Sequence, residues 1–144
     1  MKKIFLLFLP ILFFGCSGEK KNSEKISEKM EKKFEINGVE IEILKNGTGA
    51  AAKKNDNLVV HYDGFFENGL KFDSSRDRKK PFNFTLGGGQ VIKGWDAGIE
   101  NMKIGEIRKL KIPPEMAYGS RKVGPISENS TLIFEIELLE IREK

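Results

Sequence analysis

Val59-Val60-His61-Tyr62-Asp63-Gly64-Phe65-Phe66-Glu67-Asn68-Gly69-Leu70-Lys71-Phe72-Asp73 is the stretch that decides how this chain folds. Leu58 to Phe66 is rich in β-branched and aromatic residues, which suit a pleated, half-buried strand. Glu67-Asn68-Gly69 supplies a turn, and Leu70 to Asp73 returns alongside. A strand that reverses over so few residues can only pair antiparallel, since a parallel partner needs a long crossover.

The same signals extend outward. Val39, Ile41 and Ile43 alternate with polar residues as a strand does, and Asn46-Gly47-Thr48-Gly49 ends it. Phe82, Phe84 and Leu86 alternate again until Gly87-Gly88-Gly89 interrupts them. Trp95, Ile99 and Met102 fall at i, i+4, i+7, which predicts a short helix from about Gly94 to Met102, with Gly105 as its stop. Glu106 to Ile112 reads as a strand closed by Pro113-Pro114. Leu132, Phe134, Ile136 and Leu138 alternate with Ile133, Glu135 and Glu137, giving one buried face and one mostly wet face. The sum is an α+β domain with about five strands in a mainly antiparallel sheet and one short helix.

The chain has 144 residues, 25 basic and 21 acidic, for a formal charge of +4. Its first residues resemble a bacterial lipoprotein signal. Lys2 and Lys3 precede an apolar run of 11 residues, Ile4 to Phe14, and Gly15 stands before Cys16. The departure is Phe13, where such signals usually carry Leu. The resemblance implies cleavage after residue 15 and a lipid on Cys16; the alternative is an ordinary signal peptide with an incidental cysteine. Without residues 1–15 the balance falls to 23 basic against 21 acidic residues, or +2. Charges this evenly mixed argue against nucleic-acid binding, which wants a concentrated basic face. One cysteine and one histidine exclude an internal disulfide and a Cys₂His₂ zinc site.

Residues 16–36 read as a charged tether. Ile26, Met30 and Phe34 offer only a weak helical stripe, and the Lys/Glu-rich composition buries too little to fold alone. The domain is expected over 37–144, as a monomer on a membrane-anchored protein of the bacterial envelope.

Gly87 to Trp95 lacks the Gly-Lys-Ser/Thr of a phosphate loop, so no nucleotide cofactor is implied, and no metal. His61 lies between Val60 and Tyr62 on a strand and points away from both, which argues against a catalytic triad around it. What remains is a set of aromatic and aliphatic residues in short polar contexts, which suggests an apolar pocket.

The order of motifs is more specific than any one of them. Val59 to Gly64 is followed by Gly69 to Arg76, Pro81-Phe82-Asn83-Phe84, Val91 to Gly98, Ile112-Pro113-Pro114, Ala117-Tyr118-Gly119 and Asn129 to Phe134. This series resembles the FKBP-type peptidyl-prolyl cis-trans isomerases over about residues 38–144. The resemblance implies a curved antiparallel sheet wrapped around one short helix. It implies Trp95 as the pocket floor, with Tyr62, Phe72, Phe82, Val91, Ile92, Ile126 and Phe134 as walls. Asp73 and the Tyr118 hydroxyl would be polar groups at the rim, and the Ile92 N–H would donate to a bound carbonyl. Phe84, Leu132 and Ile136 are read as core. Proline-containing segments of exported proteins would be substrates, and macrolides such as tacrolimus and rapamycin inhibitors; a proline-peptide binding module with little turnover is the alternative. The chain departs from the family between Tyr118 and Thr131. That loop is about one residue short, has Ile126-Ser127-Glu128 in place of Ile-Pro-Pro, and leaves its tip open among Lys122, Val123 and Gly124.

Overall fold

The computed structural model describes residues 32–142. The expected signal sequence, Cys16 and nearly all of the expected tether lie outside them. Seven strands form one sheet: β1 (Lys33–Ile36), β2 (Val39–Lys45), β3 (Asn57–Phe66), β4 (Lys71–Ser74), β5 (Phe82–Thr85), β6 (Ile107–Ile112) and β7 (Leu132–Arg142). One α-helix, α1 (Lys93–Ile99), and a 3-10 turn at Pro114–Met116 complete the described elements. The strand order is β1-β2-β6-β7-β3-β4, with β5 also paired to β3, and every pairing is antiparallel.

The hairpin is where the sequence places it: Gly64 pairs with Asp73 and Asp63 with Ser74. The sheet exceeds the expected five strands. Each segment read as a strand recurs as one of β2 to β7, and the addition is β1, which lies within the supposed tether. Asn37 and Gly38 both have positive φ, 52° and 83°, and join Ile36 to Val39 as a two-residue hairpin turn. The folded unit therefore begins before residue 37.

The helix also ends earlier than its apolar spacing suggests. After Ile99 the chain bonds to the Gly49–Ala52 segment, with the Asn101 N–H donating to the Ala52 carbonyl at 2.8 Å and the Ala52 N–H to the Met102 carbonyl at 2.8 Å. Met102 remains fully buried although it lies past the helix.

The alternating apolar residues of β2, β3, β6 and β7 form the core with Phe84, Leu86, Ile99 and Met102. Leu132 and Ile136 are fully buried, and Phe84 nearly so. The helix can seat closely because it carries two glycines. A Cβ at Gly94 would lie 2.4 Å from Ile112 Cγ2, and one at Gly98 would lie 2.7 Å from Leu110 Cδ1. The missing side chains bring the α1 backbone onto β6, and Trp95 with it.

Candidate active site

Trp95 projects from the first turn of α1 and is 4% exposed. Rings from three strands meet it edge to face: Tyr62 of β3 at 5.0 Å, Phe134 of β7 at 5.3 Å, and Phe84 and Phe82 of β5 at 5.7 and 6.0 Å between centroids. Such packing favours ring edges against ring faces and fixes each ring's orientation. Phe72 of β4 extends the wall, 5.7 Å from Phe134 and 4.8 Å from Phe66.

Together they enclose an open pocket of about 340 Å³. All ten pocket residues expected from the sequence line it: Tyr62, Phe72, Asp73, Phe82, Val91, Ile92, Trp95, Tyr118, Ile126 and Phe134. Phe84 does not, because it packs behind Trp95. A larger cleft of about 580 Å³ runs along β1 and β2, but mostly lysine and glutamate line it and no aromatic cluster converges there.

Gly64 makes room for the wall. A Cβ there would lie 2.8 Å from Phe72 Cζ and 2.9 Å from Phe134 Cε1. Gly64→Ala is expected to displace both rings and cost about 1–3 kcal/mol through overpacking. Chemical denaturation checks the cost, and ring resonances of Phe72 and Phe134 check the displacement.

The one charged residue in the lining is neutralised in place. Asp73 accepts a 2.6 Å hydrogen bond from the Tyr62 hydroxyl and one from the Ser74 N–H at 2.9 Å, and it pairs with Arg78. Arg78 also donates to the Tyr62 hydroxyl at 2.9 Å and lies over its ring. Burial pushes the Asp73 carboxyl up, but the bonds from Tyr62 and Arg78 outweigh it and hold the group below its ordinary value of 3.8. Burial and the bond to Asp73 push the Tyr62 hydroxyl above 10.0.

The sign of the resulting pH dependence follows. A carboxyl whose folded value is depressed adds stability above its unfolded value and loses it as pH falls through the folded one. Asp73→Asn is expected to lose about 0.2–1 kcal/mol at neutral pH, a small figure because the site is open to solvent. The difference from wild type should shrink below pH 4 in denaturation curves.

The remaining polar groups are sparse. Among the described residues, the Ile92 N–H and the Tyr118 hydroxyl have no protein hydrogen-bond partner, and the Trp95 Nε1–H is buried without one. His61 is turned away, as its strand position predicts, with Nδ1 2.9 Å from Ser75 Oγ.

The loop that departs from the family pattern forms a miniature hairpin. Val123 and Ile126 exchange both backbone hydrogen bonds at 2.9 Å. Gly124, with φ of 55°, and Pro125 occupy the turn between them. The tip left open by the sequence is thus Gly124-Pro125, and Val123, Gly124 and Pro125 line the pocket. Gln90 also lines it, and its side chain accepts from the Thr85 N–H at 2.9 Å. Sequence reasoning missed Gln90, Pro125 and Arg78. Arg78 carried no signal because only the turn after β4 brings it back to Asp73.

Comparison with known proteins agrees with this geometry. The family model for FKBP-type peptidyl-prolyl cis-trans isomerases matches residues 48–139. FK506-binding protein 1A of Neurospora crassa is 54% identical over 110 residues, covering 75% of this chain and 92% of that protein. An FK506-binding protein of Neisseria meningitidis serogroup A is 56% identical over 104 residues, covering 72% and 95%. The crystal structure of FkpA from Escherichia coli superposes with a TM-score of 0.72 at 40% identity, over 85% of this chain and 57% of that longer one. On the family model and on relatives covered almost end to end, this chain belongs to the FKBP-type peptidyl-prolyl cis-trans isomerases.

Proposed function

We propose that the pocket turns X–Pro bonds by desolvating the amide and favouring its twisted form. Rotation about this bond has a barrier near ~20 kcal/mol because the planar amide is conjugated. The twisted amide loses conjugation and becomes less polar, so an apolar enclosure disfavours the planar form more. A proline ring held over Trp95 fixes one side of the bond while the other rotates, and the Ile92 N–H holds a carbonyl of the bound segment. This is preferential binding of the transition state, and a thousandfold acceleration asks only about 4 kcal/mol of it. The observation that supports this reading most strongly is the aromatic lining, in which the single carboxylate is already tied to Tyr62 and Arg78.

No proton transfer is involved, which gives the test. Asp73 stays ionised above its depressed value and Tyr62 stays protonated below its raised one, so kcat/KM for a Leu-Pro peptide should be flat from about pH 5 to pH 9. A bell-shaped profile inside that window would mean acid–base catalysis and defeat the reading.

The wider role rests on the N-terminal sequence. Lys2-Lys3, the apolar run and Gly15-Cys16 support export and lipidation at Cys16. The enzyme would then act as an anchored monomer on exported proteins, its tether spacing the pocket from the bilayer. Labelling with a fatty-acid probe should mark the wild type and not Cys16→Ala; equal labelling would remove the anchor. Because relatives of this chain are named FK506-binding proteins, FK506-type macrolides are proposed ligands of the same pocket.

A further inference from the structure

Three loop segments carry the pocket's lining residues or join the strands that do, and their charges differ. Residues 86–92 carry none. The turn after β4 holds Arg76, Asp77, Arg78, Lys79 and Lys80, and the loop over residues 119–131 holds Arg121, Lys122 and Glu128. Arg76 is paired with Asp63 and Glu137, Asp77 with Lys71, and Arg78 with Asp73. Lys79, Lys80, Arg121 and Lys122 are exposed, and among the described residues none has a carboxylate within 4.0 Å.

Two of these cations adjoin lining residues in the chain. Lys122 immediately precedes Val123, and Lys80 lies two residues before Phe82. The turn that carries Lys79 and Lys80 is held by the Lys80 N–H donating to the Ser75 carbonyl at 3.1 Å, with Ser75 in turn bonded to Tyr62. Against these four cations the neighbouring acids are Glu128, two residues past Ile126, and Glu115, in the 3-10 turn before Tyr118. The loops that flank the lining are therefore net basic, while the lining itself carries only the paired Asp73.

We propose that Lys79, Lys80, Arg121 and Lys122 select prolines flanked by acidic side chains and disfavour those flanked by basic ones. The inference rests on the isomerase reading of the same pocket and adds its substrate preference. The proline ring occupies the aromatic lining, while residues beyond it reach the flanking loops and meet the unpaired cations. At surface exposure each such contact is weak and salt-sensitive, so several must act together.

The test uses peptides with a common Leu-Pro core and Glu, Gln or Lys on both flanks, with turnover read from cis–trans exchange by NMR, which needs no coupling protease. kcat/KM is expected to fall in the order Glu, Gln, Lys, spanning about tenfold at low salt and collapsing by 0.5 M salt. Lys79→Glu/Lys80→Glu/Arg121→Glu/Lys122→Glu should reverse the order while leaving the Gln peptide unchanged. Equal rates for the three peptides, or an order that survives the charge reversal, would overturn the preference alone. No turnover of any peptide would overturn the isomerase reading with it.

Discussion

Replacing Arg108 by methionine is expected to lower folding stability by about 3–5 kcal/mol, the usual cost of breaking a buried ion pair from one side. Arg108 and Glu106 are only 6% and 5% exposed at their side chains, with Nε 2.5 Å from Oε1. The Arg108 Nη1 also donates to the Gly98 carbonyl at 2.8 Å and the Glu100 carbonyl at 3.1 Å. These carbonyls sit at the C-terminal end of α1, which has no basic residue in its own last turn. A helix end leaves such groups unpaired unless another element supplies a donor. Methionine would strand the Glu106 carboxylate, whose remaining partner is the Lys103 N–H at 2.9 Å, and would uncap the helix. Glu106→Gln/Arg108→Met should recover part of the loss, because it removes the buried unpaired charge. Urea denaturation measures both; a loss below about 1 kcal/mol for Arg108→Met would show that the pair does not hold the helix.

The largest effect on activity is expected from Phe72→Ala, a drop of about ten- to a hundredfold in kcat/KM. Phe72 is only partly buried against the core, so its removal exposes the pocket more than it disturbs the fold. A phenyl wall contributes about 1.5–3 kcal/mol when fully buried, and a bound proline segment would complete that burial. If part of that burial exists only with the twisted amide bound, the loss appears in kcat as well as KM. A change confined to KM would mean that Phe72 binds substrate and transition state equally.

The pocket was legible in the sequence because its residues are embedded in short motifs whose order carries the information. Tyr62 and Phe72 sit on the two arms of one hairpin, and Trp95 on a helix whose apolar spacing is plain. Less was legible where tertiary contacts or composition override local pattern. Lys33 to Ile36 looks like solvated chain because it ends a run rich in lysine and glutamate, yet the Phe34 ring centroid lies 5.7 Å from the Arg108 guanidinium and the Asn-Gly turn returns the segment to β2. The signal is the Asn37-Gly38 dipeptide, a hairpin turn that also falls at the expected domain boundary. Arg78 was invisible because only the turn after β4 returns it to Asp73; Arg108 stands two residues from Glu106, but its bonds to the Gly98 and Glu100 carbonyls arise only on folding. In the 119–131 loop Ser127-Glu128 stands where the family has two prolines, but Gly124-Pro125 forms a tight turn that keeps Val123 and Ile126 at the pocket.

That an aromatic pocket whose one carboxylate is already paired suffices to turn the prolyl bond is tested by the exchange rate of a Leu-Pro peptide with wild type, Phe72→Ala, Trp95→Ala and Tyr118→Phe, each first shown to be folded. The account predicts slower exchange in all three variants, greatest for the two that remove apolar wall or floor. Wild-type rates in all three would contradict it.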